Sequence, residues 1–222
     1  MDVALLGGTG GLGEGLALRL ARDTDHTVVV GSRDGTRASE HAADYESTLA
    51  AHGTTGDLVG RPNPEAARRA DVVVCAVPPY TVANTIESVS EGLDSDTVLV
   101  SPAVGMKHDE AGAHYNRPAA GSVTAIAARA APEGVPVVGA FHSLPAGPLA
   151  DLDFDIDAET PLVGDETQAV ERVVDLTNGI DGLCARRAGG LANAAEVEAL
   201  APLLINLGTH DPELLDVWLS FS

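Results

Sequence analysis

Six glycines fall within the thirteen residues VALLGGTGGLGEG, Val3 to Gly15, directly behind an aliphatic run. A chain tolerates that density only where its backbone must come very close to something, because glycine carries the largest entropic cost of ordering. Gly8, Gly10 and Gly13 satisfy G-x-G-x-x-G, and Gly7, Gly10 and Gly13 satisfy G-x-x-G-x-x-G. The flanking pattern gives the motif its meaning: an aliphatic strand at 3–6, a helix at 13–22 with Leu16, Ala17 and Leu20 at helical spacing, and a second aliphatic run at 26–30. A strand, glycine turn and helix in a unit of this length direct free backbone amides at a pyrophosphate, where side chains would block the approach.

The rest of the chain continues the alternation. Helices are expected at 36–52, 64–69, 82–92 and 122–131, with extended segments at 57–59, 71–79, 97–102 and 135–143. The segment 105–118 lacks apolar periodicity and is expected to be a loop over the sheet, able to act as a lid. Beyond the acidic stretch DLDFDIDAE come a strand, a helix, a strand and a helical region from Ala192. The fold class implied is α/β: a Rossmann-type doubly wound parallel sheet with a second, smaller α/β domain. The division is expected at 1–145 for a nucleotide-binding Rossmann-like domain and 146–222 for a small C-terminal domain closing a cleft.

The end of the second strand selects the nucleotide. An acidic residue about 20 positions beyond the glycine turn would bind the ribose 2′-hydroxyl of NAD. This chain has VVVGSRDGTR there, with Ser32 and Arg33 at the acidic position and Arg37 one helical turn on. A hydroxyl and two guanidinium groups suit a 2′-phosphate, which a carboxylate would repel. NADP is therefore expected over NAD, with Asp34 pointing to solvent. The arginines stand out because the chain carries 33 acidic against 13 basic residues, a net charge of −20, with Lys107 the single lysine. Such acidity opposes nucleic-acid phosphates and gives an acidic surface suited to high salt.

Other chemistries find less support. Cys75 sits in an aliphatic run and, with Cys184, is expected to be a free thiol. His108 and His114, with Asp109 and Glu110 between them, do not match a metal-ligand spacing, so no metal is expected. No apolar run is long enough to span a membrane, and no secretory leader pattern opens the chain, so a cytoplasmic protein without membrane or nucleic-acid partners is expected.

Six stretches carry a family resemblance: VALLGGTGGLGEGLALRLA, VVVGSR, SPAV, HSLPAGPLADL, IDGL and EALAPLLINL. In this order they cover most of the chain, which resembles the NADP-dependent reductases of coenzyme F420, the deazaflavin hydride carrier. The resemblance implies direct hydride transfer between NADP(H) and F420, with no catalytic side chain required. It implies that Thr9, Gly10, Gly11 and Leu12 hold the pyrophosphate and that Ser32, Arg33 and Arg37 hold the 2′-phosphate. Val77 and Thr81 would line the adenosine side, with Val104 and Ala146 near the nicotinamide. His142 and Leu144 would face the deazaflavin and Val217 would close its pocket, with Trp218 as the alternative wall because the tail aligns with a shift. Pro79 stands where the family has an aromatic residue. His142 would donate a hydrogen bond to the deazaflavin or cap a strand end. The resemblance also implies a homodimer, with APLLINL as contact or as ordinary core.

Two other readings remain open on the residues alone. An NADP-dependent reductase of a small imine or hydroxy acid needs a positioned proton donor, and Lys107 lies in the first domain, away from where such a donor belongs. A non-catalytic NADP-binding redox sensor would bind without turnover.

Overall fold

The computed structural model describes residues 1–211, 213, 214 and 218–221. The first half alternates as its hydrophobic pattern requires: β1 (Asp2–Leu6), α1 (Gly11–Asp23), β2 (Thr27–Ser32), α2 (Gly35–Ala51), β3 (Asp57–Pro62), α3 (Asn63–Ala67), β4 (Val72–Cys75), α4 (Val82–Val89) and β5 (Val98–Ser101). A hairpin of β6 (Met106–Asp109) and β7 (Gly112–Tyr115) follows. Next come α5 (Val123–Ala130), β8 (Val137–Gly139), α6 (Ala146–Ala150), β9 (Ala158–Gly164), α7 (Thr167–Asn178), β10 (Leu183–Arg187), α8 (Ala194–Glu198) and α9 (Leu200–His210).

Eight strands form one sheet in the order β10-β9-β8-β5-β4-β1-β2-β3. From β3 to β8 every neighbouring pair is parallel, and β8 meets β9 antiparallel. The run β3-β2-β1-β4-β5-β8 is the doubly wound order of dinucleotide folds, with its topological switch point between β1 and β4. Period-2 alternation sends Val3 and Leu5 of β1 into one apolar layer with Leu16, Leu20 and Val28, and Ala4 and Leu6 into the other with Val29, Val73 and Ile86. Both faces are covered, so β4 and β5 are buried at every position. Cys75 belongs to the second layer, where burial pushes its thiol up to about 12 and keeps it inert.

The segment beyond residue 145 builds on this same sheet: Val138 pairs with Gly164 and Gly139 with Val163, and β10 extends the edge beyond β9. Helix α6 packs on α1 so tightly that a Cβ on Gly15 would lie 2.8 Å from Leu149 Cγ.

Two local expectations are corrected. The segment 105–118 holds the β6–β7 hairpin rather than a structureless loop. Asp109 turns the chain by accepting from the Ala111 amide, and Asn206 on α9 binds both the amide (2.8 Å) and the carbonyl (2.7 Å) of Ala113. Its four-residue strands hold few apolar residues, and Lys107, His108 and Asp109 of β6 are exposed in succession, so no apolar run announces them. The strand expected at 135–143 stops at Gly139, because Phe141 takes φ +66°, the single positive φ on a non-glycine among the described residues. That left-handed turn costs on the order of 1–3 kcal/mol. It delivers His142, Ser143 and Leu144 to a cleft at the carboxyl end of the sheet.

Candidate functional site

Close approach accounts for the glycine turn atom by atom. A Cβ on Gly8 would sit 2.8 Å from the Leu5 carbonyl oxygen, and one on Gly13 would sit 2.6 Å from Gly8 Cα. Gly7 adopts φ +80° and presses on the Ala76 carbonyl oxygen, 2.5 Å from its would-be Cβ. The ends of β1, β4 and α1 therefore meet backbone to backbone. Gly10 caps α1 without a side chain, leaving the amides of the first helical turn open to an anion. The Tyr45 hydroxyl, buried on α2, donates to the Gly8 carbonyl (2.9 Å) and holds the turn from behind, a role the sequence did not suggest.

Thr9, Gly10, Ser32, Arg33, Arg37, Val77 and Thr81 come together around a cleft of about 380 Å³. Ser32 is buried and accepts from the Asp34 amide, whereas Arg33 and Arg37 are exposed at the mouth. Among the described residues neither arginine makes an ion pair. Asp34, expected to point to solvent, is exposed, but its carboxylate caps α2 by accepting from the Thr36 and Arg37 amides. The nearest acid is thereby engaged by backbone.

Asn63 also lines this cleft and was missed. Its Oδ1 is buried without a partner, an acceptor suited to a hydroxyl or amino group of a bound nucleotide. The available signal was position: an asparagine directly after β3, at the carboxyl edge where ligands of such sheets bind. Leu12 is half-buried and packs on the core, and Val104 is buried beyond β5; neither lines the cleft.

A second cleft, about 540 Å³, is bounded by Met106 of the hairpin, by 142–146, and by Ala201, Leu204, Ile205 and Gly208 of α9. His142, Leu144 and Ala146 all belong to its wall. The glycine turn lies beside both clefts: Gly10 lines the first, and a Cβ on the next residue, Gly11, would lie 3.3 Å from Ala146 Cβ on the wall of the second. Val217 lies outside the described residues. Trp218, its alternative, stacks on Phe154 with ring centroids 5.9 Å apart and packs against the core rather than lining the cleft.

His142 is 6% exposed, its Nε2 lies 3.3 Å from Thr124 Oγ1, and its Nδ1 has no partner. Burial lowers its pKa to about 4, so the ring is neutral in ordinary buffers. The unfolded chain, with its ordinary value of 6.5, takes up the proton first as pH falls. The neutral ring thus contributes stability in full above pH 6.5 and loses it toward pH 4, an effect of about 2–3 kcal/mol by pH 4.5. Urea melts of the parent and His142→Gln at pH 7.5 and 4.5 measure it: the parent is expected to lose that much more stability than the variant, and equal losses would count against the buried neutral ring.

Residues 2–105 match the family model described as NADP oxidoreductase, coenzyme F420-dependent. The F420-dependent NADP reductase of Methanocaldococcus jannaschii is 34% identical over 212 residues, covering 93% of this chain and 92% of the relative. That of Methanothermobacter thermautotrophicus is 36% identical over 214 residues, covering 95% and 90%. Among solved structures, a protein of Arthrobacter sp. FB24 described as a candidate F420-dependent NADP reductase superposes with a TM-score of 0.79 at 22% identity, covering 100% of this chain and 99% of that one. NADP-bound pyrroline carboxylate reductase of Plasmodium falciparum superposes at 0.53 with 16% identity, covering 84% of this chain and 57% of that one, a likeness of fold alone. With a third of its residues identical to the archaeal reductases across nearly their whole length, the chain belongs to the family of F420-dependent NADP oxidoreductases.

Proposed function

We propose that the protein transfers a hydride directly between NADP(H) and coenzyme F420, the dinucleotide lying in the first cleft and the deazaflavin in the second. The observation that carries this reading is the glycine turn lying beside both clefts, with Gly10 on the wall of the first and Gly11 against Ala146 of the second. The two carriers supply the redox chemistry themselves, and the chain supplies proximity and orientation. The open amides of α1 seat the pyrophosphate, Ser32, Arg33 and Arg37 hold the 2′-phosphate, and Val77 and Thr81 flank the adenosine. Ala146 and Val104 bound the nicotinamide end, and His142 and Leu144 hold the deazaflavin against it.

The imine or hydroxy-acid reductase reading finds no support in Lys107. It is exposed on β6, and strand alternation turns it to the side opposite Met106, the residue that lines the cleft. The relatives' names as reductases likewise do not favour a non-catalytic sensor. Among the described residues no helix is long and apolar enough to cross a membrane. The reading includes a cytoplasmic location and a homodimer, the latter supported by the exposed Leu203 and Leu207 on α9.

Mixing the purified protein with NADPH and oxidised F420 tests the function. Loss of the oxidised deazaflavin absorbance, dependent on protein and on NADPH, is expected. Turnover of a carbonyl or imine with no change in F420 would overturn it.

A further inference from the structure

Glu198, within the EALAPLLINL stretch, is fully buried at the end of α8 and has no part in either cleft's lining. Its carboxylate accepts from the Val123 amide (3.0 Å) and the Thr124 amide (2.8 Å) at the first turn of α5, and from the hydroxyls of Thr124 (3.0 Å) and Tyr115 (2.9 Å). Each carboxylate oxygen accepts from one backbone N–H and one hydroxyl, so Glu198 is the acceptor in each of these bonds.

The polarity of the next link follows. Thr124 has one hydroxyl proton, and it goes to Glu198 Oε1. Toward His142 the same oxygen has only lone pairs, so the contact at 3.3 Å requires the proton on Nε2. A neutral imidazole protonated at Nε2 presents a bare lone pair at Nδ1, the ring nitrogen that is buried and unpartnered on a residue lining the second cleft. Ser143 Oγ, also buried without a partner, lines the same cleft. Gly139 keeps the contact open, since a Cβ there would lie 3.0 Å from both His142 Cε1 and Thr124 Oγ1.

We propose that Glu198 and Thr124 are positioning residues that act through His142, fixing its Nδ1 as a hydrogen-bond acceptor for the imide N–H of the deazaflavin ring. Ser143 Oγ, a rotatable donor, serves the carbonyl beside that N–H, so the pair complements one donor and one acceptor on the ring's pyrimidine edge. The assignment rests on the F420 reading above and reverses the expectation that His142 donates to the deazaflavin. It accounts for a buried carboxylate about 74 residues from its partners in sequence.

Two measurements test it, one without any ligand. In the ligand-free protein labelled with 15N-histidine, long-range 1H–15N correlations should show His142 protonated at Nε2 alone. Its signals are identified by their loss in His142→Gln and by their failure to titrate near pH 6.5. Thr124→Val should release that tautomer preference, raise the KM for F420 about tenfold, the net worth of one hydrogen bond, and leave the KM for NADPH within twofold. Thr124→Ser, which keeps the hydroxyl, should restore both, and matched thermal midpoints separate the effect from misfolding. A proton on Nδ1, a Thr124→Val protein with unchanged His142 signals and F420 KM, or equal losses for both carriers would overturn the proposal. Failure of the parent to turn over F420 would overturn the function instead, and the tautomer measurement would then decide the relay by itself.

Discussion

Replacing Arg19 with leucine is expected to destabilise the protein by about 3–5 kcal/mol, the cost typical of removing one partner from a buried charged network. Arg19 lies on α1 and is 1% exposed, in a chain whose arginines would otherwise be expected on the surface. Its Nε donates to the Leu149 carbonyl (3.0 Å), and its Nη2 faces the carbonyls of Pro148, Asp151 and Phe154 (3.2, 2.5 and 2.8 Å). These oxygens close α6 and the turn after it, a helix end that would otherwise leave its last carbonyls without donors. Leucine fills part of the volume and satisfies none of them. Lysine should recover a minority of the loss, because a point charge on a flexible stem cannot span the same fan of acceptors. Urea denaturation of the three proteins measures the order; a midpoint for Arg19→Leu equal to the parent's would refute it. Since α6 begins at Ala146, on the wall of the second cleft, the same substitution is expected to loosen the site.

The second large effect concerns cofactor choice. Arg33→Glu is expected to weaken NADPH binding by about a hundredfold or more, through loss of a charge-assisted hydrogen bond and the repulsion set in its place. NADH, which lacks the 2′-phosphate, should change by less than about threefold, since a carboxylate at the end of β2 suits a free 2′-hydroxyl. Ser32 is uncharged and Asp34 is itself an acid, so neither can substitute for the lost guanidinium. Fluorescence titrations of both dinucleotides against parent and variant settle the matter, with equal losses counting against the phosphate assignment.

What could be read from the sequence tracks how far each signal reaches along the chain. The glycine turn, the β1–β5 alternation and the strand–helix–strand of β9, α7 and β10 each show in a window of a few residues, through period-2 apolar runs and breakers. The hairpin does not, because MKHD and GAHY have too few apolar positions to show a period. The turn at Phe141 gives no sign either: a positive φ is inferred from glycine or asparagine, and phenylalanine conceals it. Arg19, Tyr45 and Glu198 owe their roles to partners tens of residues away, so each reads locally as an ordinary helix or loop position. The segment HSLPAGPLADL marks His142, but its contact with Thr124, and that threonine's bond to Glu198, join residues from other segments and leave no local sign.

The clamp of Asn206 on Ala113 has a mechanical consequence. One amide side chain imitates a strand's backbone, offering a carbonyl to the Ala113 N–H and an NH2 to its carbonyl, so α9 terminates the two-stranded sheet as a third strand would. Gly112 makes the fit possible, for at φ +121° a Cβ would fall 2.4 Å from Asn206 Oδ1. Met106 and the Leu204–Ile205 face therefore belong to one jaw, although about 93 residues separate hairpin and helix in sequence. Whatever enters between this jaw and the 142–146 segment is thus faced by hairpin and helix tied together, not by a free loop.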